Sequence, residues 1–203
     1  FFFWQLVANL NFNVGIKPYL DFESVYNIPI LDNFEELSYN PNATQLPQVR
    51  TKIQDYLTDG GFGYERLKIN RYFNPLKNNY FLISAGHLED MFSGFFFEYL
   101  HKEIGSNVSF GAEVSFVKQR KANRRIYAFD KYKTTTFHLN LNYFNERHML
   151  DTRISVGRYL AQDLGLTIET SRVFSNGARI GAFFSKTNIS SAEFGEGSFD
   201  KGI

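Results

Sequence analysis

The sequence predicts an all-β protein, and more narrowly an antiparallel transmembrane β-barrel of which these 203 residues form an incomplete part. Three observations carry that expectation. Apolar residues recur at every second position over long stretches, as on strands with one greasy and one polar face. Helical spacing is confined to one short segment. Rings make up 18% of the chain (23 Phe, 12 Tyr and 1 Trp), yet the mean hydropathy is only −0.30. The apolar surface is therefore concentrated in aromatics set among polar residues, and no apolar run approaches the roughly 18 residues that a membrane helix needs.

The elements come in order along the chain. Leu6, Ala8, Leu10, Phe12, Val14 and Ile16 alternate with Asn9, Asn11, Asn13 and Gly15 in a first strand. A long connection over 21–61 comes next, carrying Pro29, Pro41 and Pro47. Within it Val49, Ile53, Tyr56 and Leu57 fall at i, i+4, i+7 and i+8, which predicts a helix over 48–57 stopped by Gly60-Gly61. Weaker strands are expected at 62–73, 79–89 and 94–102. The alternation returns clearly at Val108–Phe116, Phe137–Tyr143, Leu150–Val156, Leu164–Ile168 and Ala178–Phe184, for about nine strands in all.

The connections are unequal. Short turns are expected at 74–79, 103–106, 145–148 and 175–177, the last around Asn176-Gly177, a pair suited to the positive φ of a hairpin turn. If strands alternate in direction, these turns share one end. The 21–61 connection, the 90–93 turn, the 119–133 loop, the 160–163 turn and the 188–203 tail share the other. Short turns at one end and longer loops at the other is the asymmetry of outer-membrane barrels. A water-soluble sandwich also alternates. The length of these strands, polar faces mixing Asn, Ser, Thr and Gly with charges, and rings near strand ends (Phe73, Tyr80, Tyr143, Phe174) favour the membrane barrel. Bacterial barrels have even strand numbers and lipid tolerates no open edge, so an odd count implies further strands elsewhere in a longer chain. A start at Phe1 without an initiating Met and an end without a tail also read as a piece of a longer protein, in which the absence of a targeting signal carries no weight.

Composition narrows the chemistry. The chain holds no cysteine, which excludes thiolate catalysis, cysteine zinc sites and iron–sulfur clusters. A net charge of +1 argues against a nucleic-acid partner. None of the four histidines stands in a tight metal-binding pair; His87 precedes Glu89 and Asp90, but reads as a polar strand end entering a turn. The carboxylate pairs Glu89/Asp90 and Glu193/Glu196 invite a glycosidase reading. A Gly-rich acidic loop explains the second pair as well, and no nucleophile elbow, phosphate loop or dinucleotide fingerprint is present. No enzyme activity, cofactor or metal is expected. Lys118, Arg120, Lys121, Arg124 and Arg125 form a basic cluster: a solvated loop, or a rim contacting acidic sugars or lipid phosphates.

Several segments outside the alternation resemble the YjbH family of bacterial exopolysaccharide proteins. These are Leu46-Pro47-Gln48-Val49-Arg50-Thr51, Ser84-Ala85-Gly86-His87-Leu88-Glu89-Asp90-Met91, Val117-Lys118-Gln119-Arg120 and Ser155-Val156-Gly157-Arg158-Tyr159-Leu160-Ala161. The tail Ala192-Glu193-Phe194-Gly195-Glu196-Gly197-Ser198-Phe199-Asp200-Lys201-Gly202-Ile203 is the most specific of them. His87 departs from the apolar residue the family pattern suggests there. The resemblance implies an outer-membrane β-barrel, often a lipoprotein, needed to assemble or export a polysaccharide, with no catalytic residues to carry over. It implies as partners the polysaccharide, outer-membrane lipid and periplasmic proteins of the exopolysaccharide system.

Joining the alternation to the resemblance predicts two surfaces. Arg66, Lys68, Asn70, Glu113, His138, Asn140, Arg153 and Glu169 are expected to face a polar lumen that offers hydrogen bonds without a single-sign field. The family-like segments gather at the longer-loop end, where Glu89, Asp90, Lys118, Arg120, Arg158, Glu193 and Glu196 would contact polysaccharide or a partner, or brace the loops against one another. The alternatives are a barrel that anchors periplasmic partners without conducting, and a soluble β-sandwich module that binds sugar.

Overall fold

In a computed structural model the described residues are 4–34, 49, 53–58, 63–123, 125–189 and 199–202. They form one antiparallel meander in which each strand pairs with its neighbours in sequence. Ten long strands, β1 (Gln5–Lys17), β2 (Leu20–Asp32), β3 (Gly63–Leu76), β4 (Asn79–His87), β5 (Phe92–His101), β6 (Val108–Arg120), β7 (Phe129–Asn145), β8 (Leu150–Arg158), β9 (Leu164–Val173) and β10 (Arg179–Thr187), are followed by the four-residue β11 (Phe199–Gly202). A single short helix, α1 (Ile53–Thr58), lies between β2 and β3. The all-β reading holds. Among the described residues β1 and β11 are the two edges and do not pair with each other, so the sheet is open.

Two strands replace expected connections. β2 occupies the start of what alternation alone reads as a loop over 21–61, pairing with β1 through a turn at Pro18-Tyr19 in which Tyr19 has φ 63°. Its alternation is interrupted twice. The register slips between Val25 and Tyr26 against β3, and Pro29 sits beside the irregularity opposite Leu6/Val7. A proline cannot donate to the ladder, so it enters a strand at an edge or a bulge, and each bulge inverts the faces of the residues beyond it. In the tail, Phe199–Gly202 pairs with Phe183–Lys186 of β10. The expected 119–133 loop is also shorter, because β6 runs to Arg120 and β7 begins at Phe129. The expected 48–57 helix is met by α1 over Ile53–Thr58, one residue further than expected at its end; Val49 is described outside the helix, and Gly60 and Gly61 lie outside the described residues.

The two ends differ as the sequence implies. Turns at 18–19, 77–78, 102–107, 146–149 and 174–178 share one end, hereafter the turn end. The connections 33–62, 88–91, 121–128, 159–163 and 188–198 share the other, the loop end.

The polarity of the sheet is inverted relative to a soluble protein. Leu10, Phe12, Phe95, Phe110, Leu139 and Ile180 are exposed, Leu139 by 64%. On the opposite face Asn70, Ser84, Asn140, Ser155 and Ser171 are buried. With no second layer to cover it, one face of a sheet is hidden only if the sheet curls around it. Side-chain bonds that skip a strand show that curl: Arg153 of β8 reaches Glu113 of β6, and Arg179 of β10 reaches Asp151 of β8. The polar face is the concave one.

Candidate functional site: the polar face and its capped end

The register places all eight expected lumen residues on the concave face. Lys68 and Asn70 on β3 stand opposite Glu23 and Asp21 on β2, and Glu113 stands opposite His138. Arg66, Asn140, Arg153 and Glu169 share the same parity. Their charges are largely neutralised in place. Glu23 bridges Arg66 (2.9 Å) and Lys68 (3.2 Å), Glu113 meets His138 Nδ1 (3.1 Å) and Arg153 (3.4 Å), and Asp151 meets Arg179 (2.9 Å). Between them runs a ladder of hydroxyls and amides, in which Tyr159, Thr167 and Ser185 form one chain at 2.5 and 2.7 Å. Such a surface hydrogen-bonds a hydroxyl-rich ligand in either sense, because Ser, Thr, Asn and Tyr both donate and accept.

One device occurs twice. Ser84 donates to Asn70 Oδ1 (2.7 Å), and Ser155 donates to Asn140 Oδ1 (2.6 Å). Each serine is followed two residues later by a glycine that faces another glycine across the hairpin, Gly86↔Gly94 and Gly157↔Gly165. A Cβ on Gly157 would lie 1.9 Å from the Phe137 carbonyl oxygen and 2.7 Å from His138 Cδ2, so only glycine lets β8 approach β7 here. The sequence carries the serine and glycine of this device, while the partner asparagines, Asn70 and Asn140, fall one residue out of step. Tyr72-Phe73-Asn74, Ile83-Ser84 and Gly86 recur at a constant offset as Tyr143-Phe144-Asn145, Ile154-Ser155 and Gly157.

At the loop end the concave face is covered by apolar side chains. Val49 and Tyr56 pack with Met91, Phe92, Val117 and Ala161, flanked by Leu88, Ala122, Tyr132 and Leu160. The cap thus joins α1 to three hairpin ends. Tyr132 Oη donates to the Leu160 carbonyl (2.6 Å), and Tyr56 Oη donates to the Arg120 carbonyl. Burial, reinforced by the charge of Asp130 and opposed by that of Arg120, pushes the Tyr56 hydroxyl up to about 12.

The candidate rim residues separate. Arg120 is not a surface group: it is 1% exposed, and its guanidinium donates to the carbonyls of Glu65 (3.3 Å), Glu89 (3.0 Å) and Asp90 (3.1 Å). Of the two roles the sequence leaves open for it, rim contact and bracing, these bonds are of the bracing kind, because β6 carries it under the folded-over 88–91 turn. Glu89 and Asp90 are half-buried in that turn. Arg158, also half-buried, donates to the Thr135 carbonyl (3.4 Å) and Gln162 (3.1 Å). Among the five of these residues that are described, Lys118 alone is exposed, its Nζ 5.4 Å from the centre of the Phe129 ring. Glu193 and Glu196 lie outside the described residues, as does Arg124 of the basic cluster. His87 closes β4 as a buried side chain, its Nδ1 2.6 Å from Ser93 Oγ. Alternation alone does not reveal Tyr56 or the Asn–Ser pairs as organising contacts.

Comparison with known proteins bears on this arrangement. The family model described as exopolysaccharide biosynthesis protein YbjH (YjbH) matches residues 1–203. The uncharacterized lipoprotein YjbH of Escherichia coli (strain K12) is 34% identical over 181 residues, covering 86% of this chain and 26% of that protein. The chain therefore spans about a quarter of the length of that relative. No solved structure matches. A family match along the whole chain, together with that identity, makes the chain a member of the YjbH exopolysaccharide biosynthesis family.

Proposed function

We propose that this chain is part of an outer-membrane β-barrel that acts, without catalysis, in the assembly or secretion of an exopolysaccharide. The observation that carries the reading is the inverted polarity of the sheet. Soluble monomers rarely expose contiguous apolar surface beyond a few hundred Å2. Here the exposed apolar residues extend across strands from β1 to β10. Lipid satisfies that face and forbids open edges, so in the membrane β1 and β11 are joined by further strands of the longer protein. The lipoprotein relative supports membrane association. The concave face, with paired charges and many hydroxyls, suits a sugar polymer that moves by exchanging hydrogen bonds. Outer-membrane fractionation of the full-length protein, heat-modifiable migration in a gel and conductance in a planar bilayer test the reading together. Recovery in the soluble fraction without detergent sinks it.

A second reading is favoured by the cap. A barrel closed at one end by α1 and its neighbours would anchor periplasmic proteins of the exopolysaccharide system and conduct nothing. An inserted, heat-modifiable protein with no conductance, which retains periplasmic partners on purification, selects the anchor.

A further inference from the structure

On the outer face of β6 and β7 the register runs Ala112↔Leu139, Val114↔Phe137 and Phe116↔Thr135, and then reaches Lys118↔Lys133. Two exposed lysines thus stand directly opposite each other where the apolar band ends. Like charges at a cross-strand position are destabilising. On the concave face Arg66, Lys68, Arg153 and Arg179 each have a carboxylate partner. Among the described residues neither Lys118 nor Lys133 has one, and Lys121 and Lys131, exposed beside them, have none either. The nearest acid on β7, Asp130, accepts the backbone N–H of Lys131 (2.7 Å).

A groove of about 470 Å3 lies in the same apolar face, centred on these two strands and walled by β5 and β8. Tyr99 and Phe110 stand on one side, Leu139, Leu141 and Ile154 on the other, and the short side chain of Ala112 floors it. Six residues of extended strand separate Ala112 from Lys118, about 20 Å. A cationic pair and an apolar groove are therefore aligned on one outer face, at opposite ends of an apolar track over Phe116 and Phe137.

We propose that this face binds one anionic phospholipid, its phosphate between Lys118 and Lys133 and an acyl chain seated over Ala112. The proposal rests on the membrane reading above and adds a specific lipid site to it. Charge complementarity selects the headgroup, since an anion relieves the Lys118–Lys133 repulsion, and the groove selects the chain. Lysines near a membrane surface contribute on the order of 1 kcal/mol each toward anionic lipid, so removing both lowers retention about thirtyfold.

The test places the full-length protein in nanodiscs of phosphatidylcholine with a minority of phosphatidylglycerol, and reads retained lipid by native mass spectrometry. The wild type should keep phosphatidylglycerol in preference to phosphatidylcholine. Lys118→Ala/Lys133→Ala should lose that preference, Lys118→Arg/Lys133→Arg should keep it, and Lys77→Ala/Lys102→Ala at the turn end should leave it unchanged. Ala112→Phe, which fills the groove floor, should also lower retention. Equal retention by the Lys118→Ala/Lys133→Ala protein, or no preference in the wild type, overturns the proposal and leaves the membrane reading intact. Failure of the wild type to enter the nanodisc overturns both.

Discussion

Arg120 shows what a single residue can decide. Its guanidinium ties the end of β3 to the 88–91 turn through three carbonyls, while its own carbonyl accepts from Tyr56 on α1. Charge-assisted bonds of this kind, once buried, are expensive to lose. Arg120→Met should destabilise the loop end by about 3 kcal/mol, seen as faster chymotryptic cleavage after Tyr56 in the full-length protein. An unchanged cleavage rate would show that the arginine braces nothing. Gly157 makes the same point through space. Gly157→Ala sets a methyl against the Phe137 carbonyl and should cost about 1–3 kcal/mol in a urea titration. Gly15→Ala in β1, where a Cβ would meet nothing within 4 Å, should be nearly silent. Similar losses at both positions would mean that glycine acts here through chain entropy rather than close approach.

At the scale of elements, α1 is too short to persist alone, and tertiary packing must hold it. Tyr56→Phe keeps the ring in the cap and removes one buried hydrogen bond, for an expected loss of about 1 kcal/mol. The ionisation of Tyr56 adds a pH signature. Its folded pKa lies above its unfolded value near 10, so the stabilisation is complete below pH 10 and drains away as pH rises toward 12. Stability of the wild type should fall over that window more steeply than that of Tyr56→Phe. Parallel curves would place the titration elsewhere.

The elements also show what the sequence makes legible. Regular alternation exposes β6, β8 and β9, because each keeps one residue facing one partner without a slip through its centre. β2 is hidden because Pro29 and the slip at Val25/Tyr26 break the period by which a strand is recognised. The eight polar-face residues are legible since parity alone sets their face. Arg120 is not, because no local pattern announces that a turn from another hairpin will fold over it.

For the molecule as a whole, the decisive property is which face meets the solvent. If the outer face meets lipid, a charge there is costly near the middle of the apolar band, and the same charge on the concave face is not. Leu139 and Asn140 are sequence neighbours on opposite faces of β7, so they make a controlled comparison of position without change of depth. Leu139→Arg should reduce the stability of the bilayer-folded full-length protein by about 2–4 kcal/mol. Asn140→Arg breaks the bond from Ser155 and crowds Arg153, which should cost about 1 kcal/mol. Denaturant titrations in lipid vesicles measure both. A soluble sheet predicts the reverse order, because exposed Leu139 would accept arginine in water while the hidden Asn140 would not. The two substitutions therefore choose between bilayer and water through the sign of one difference.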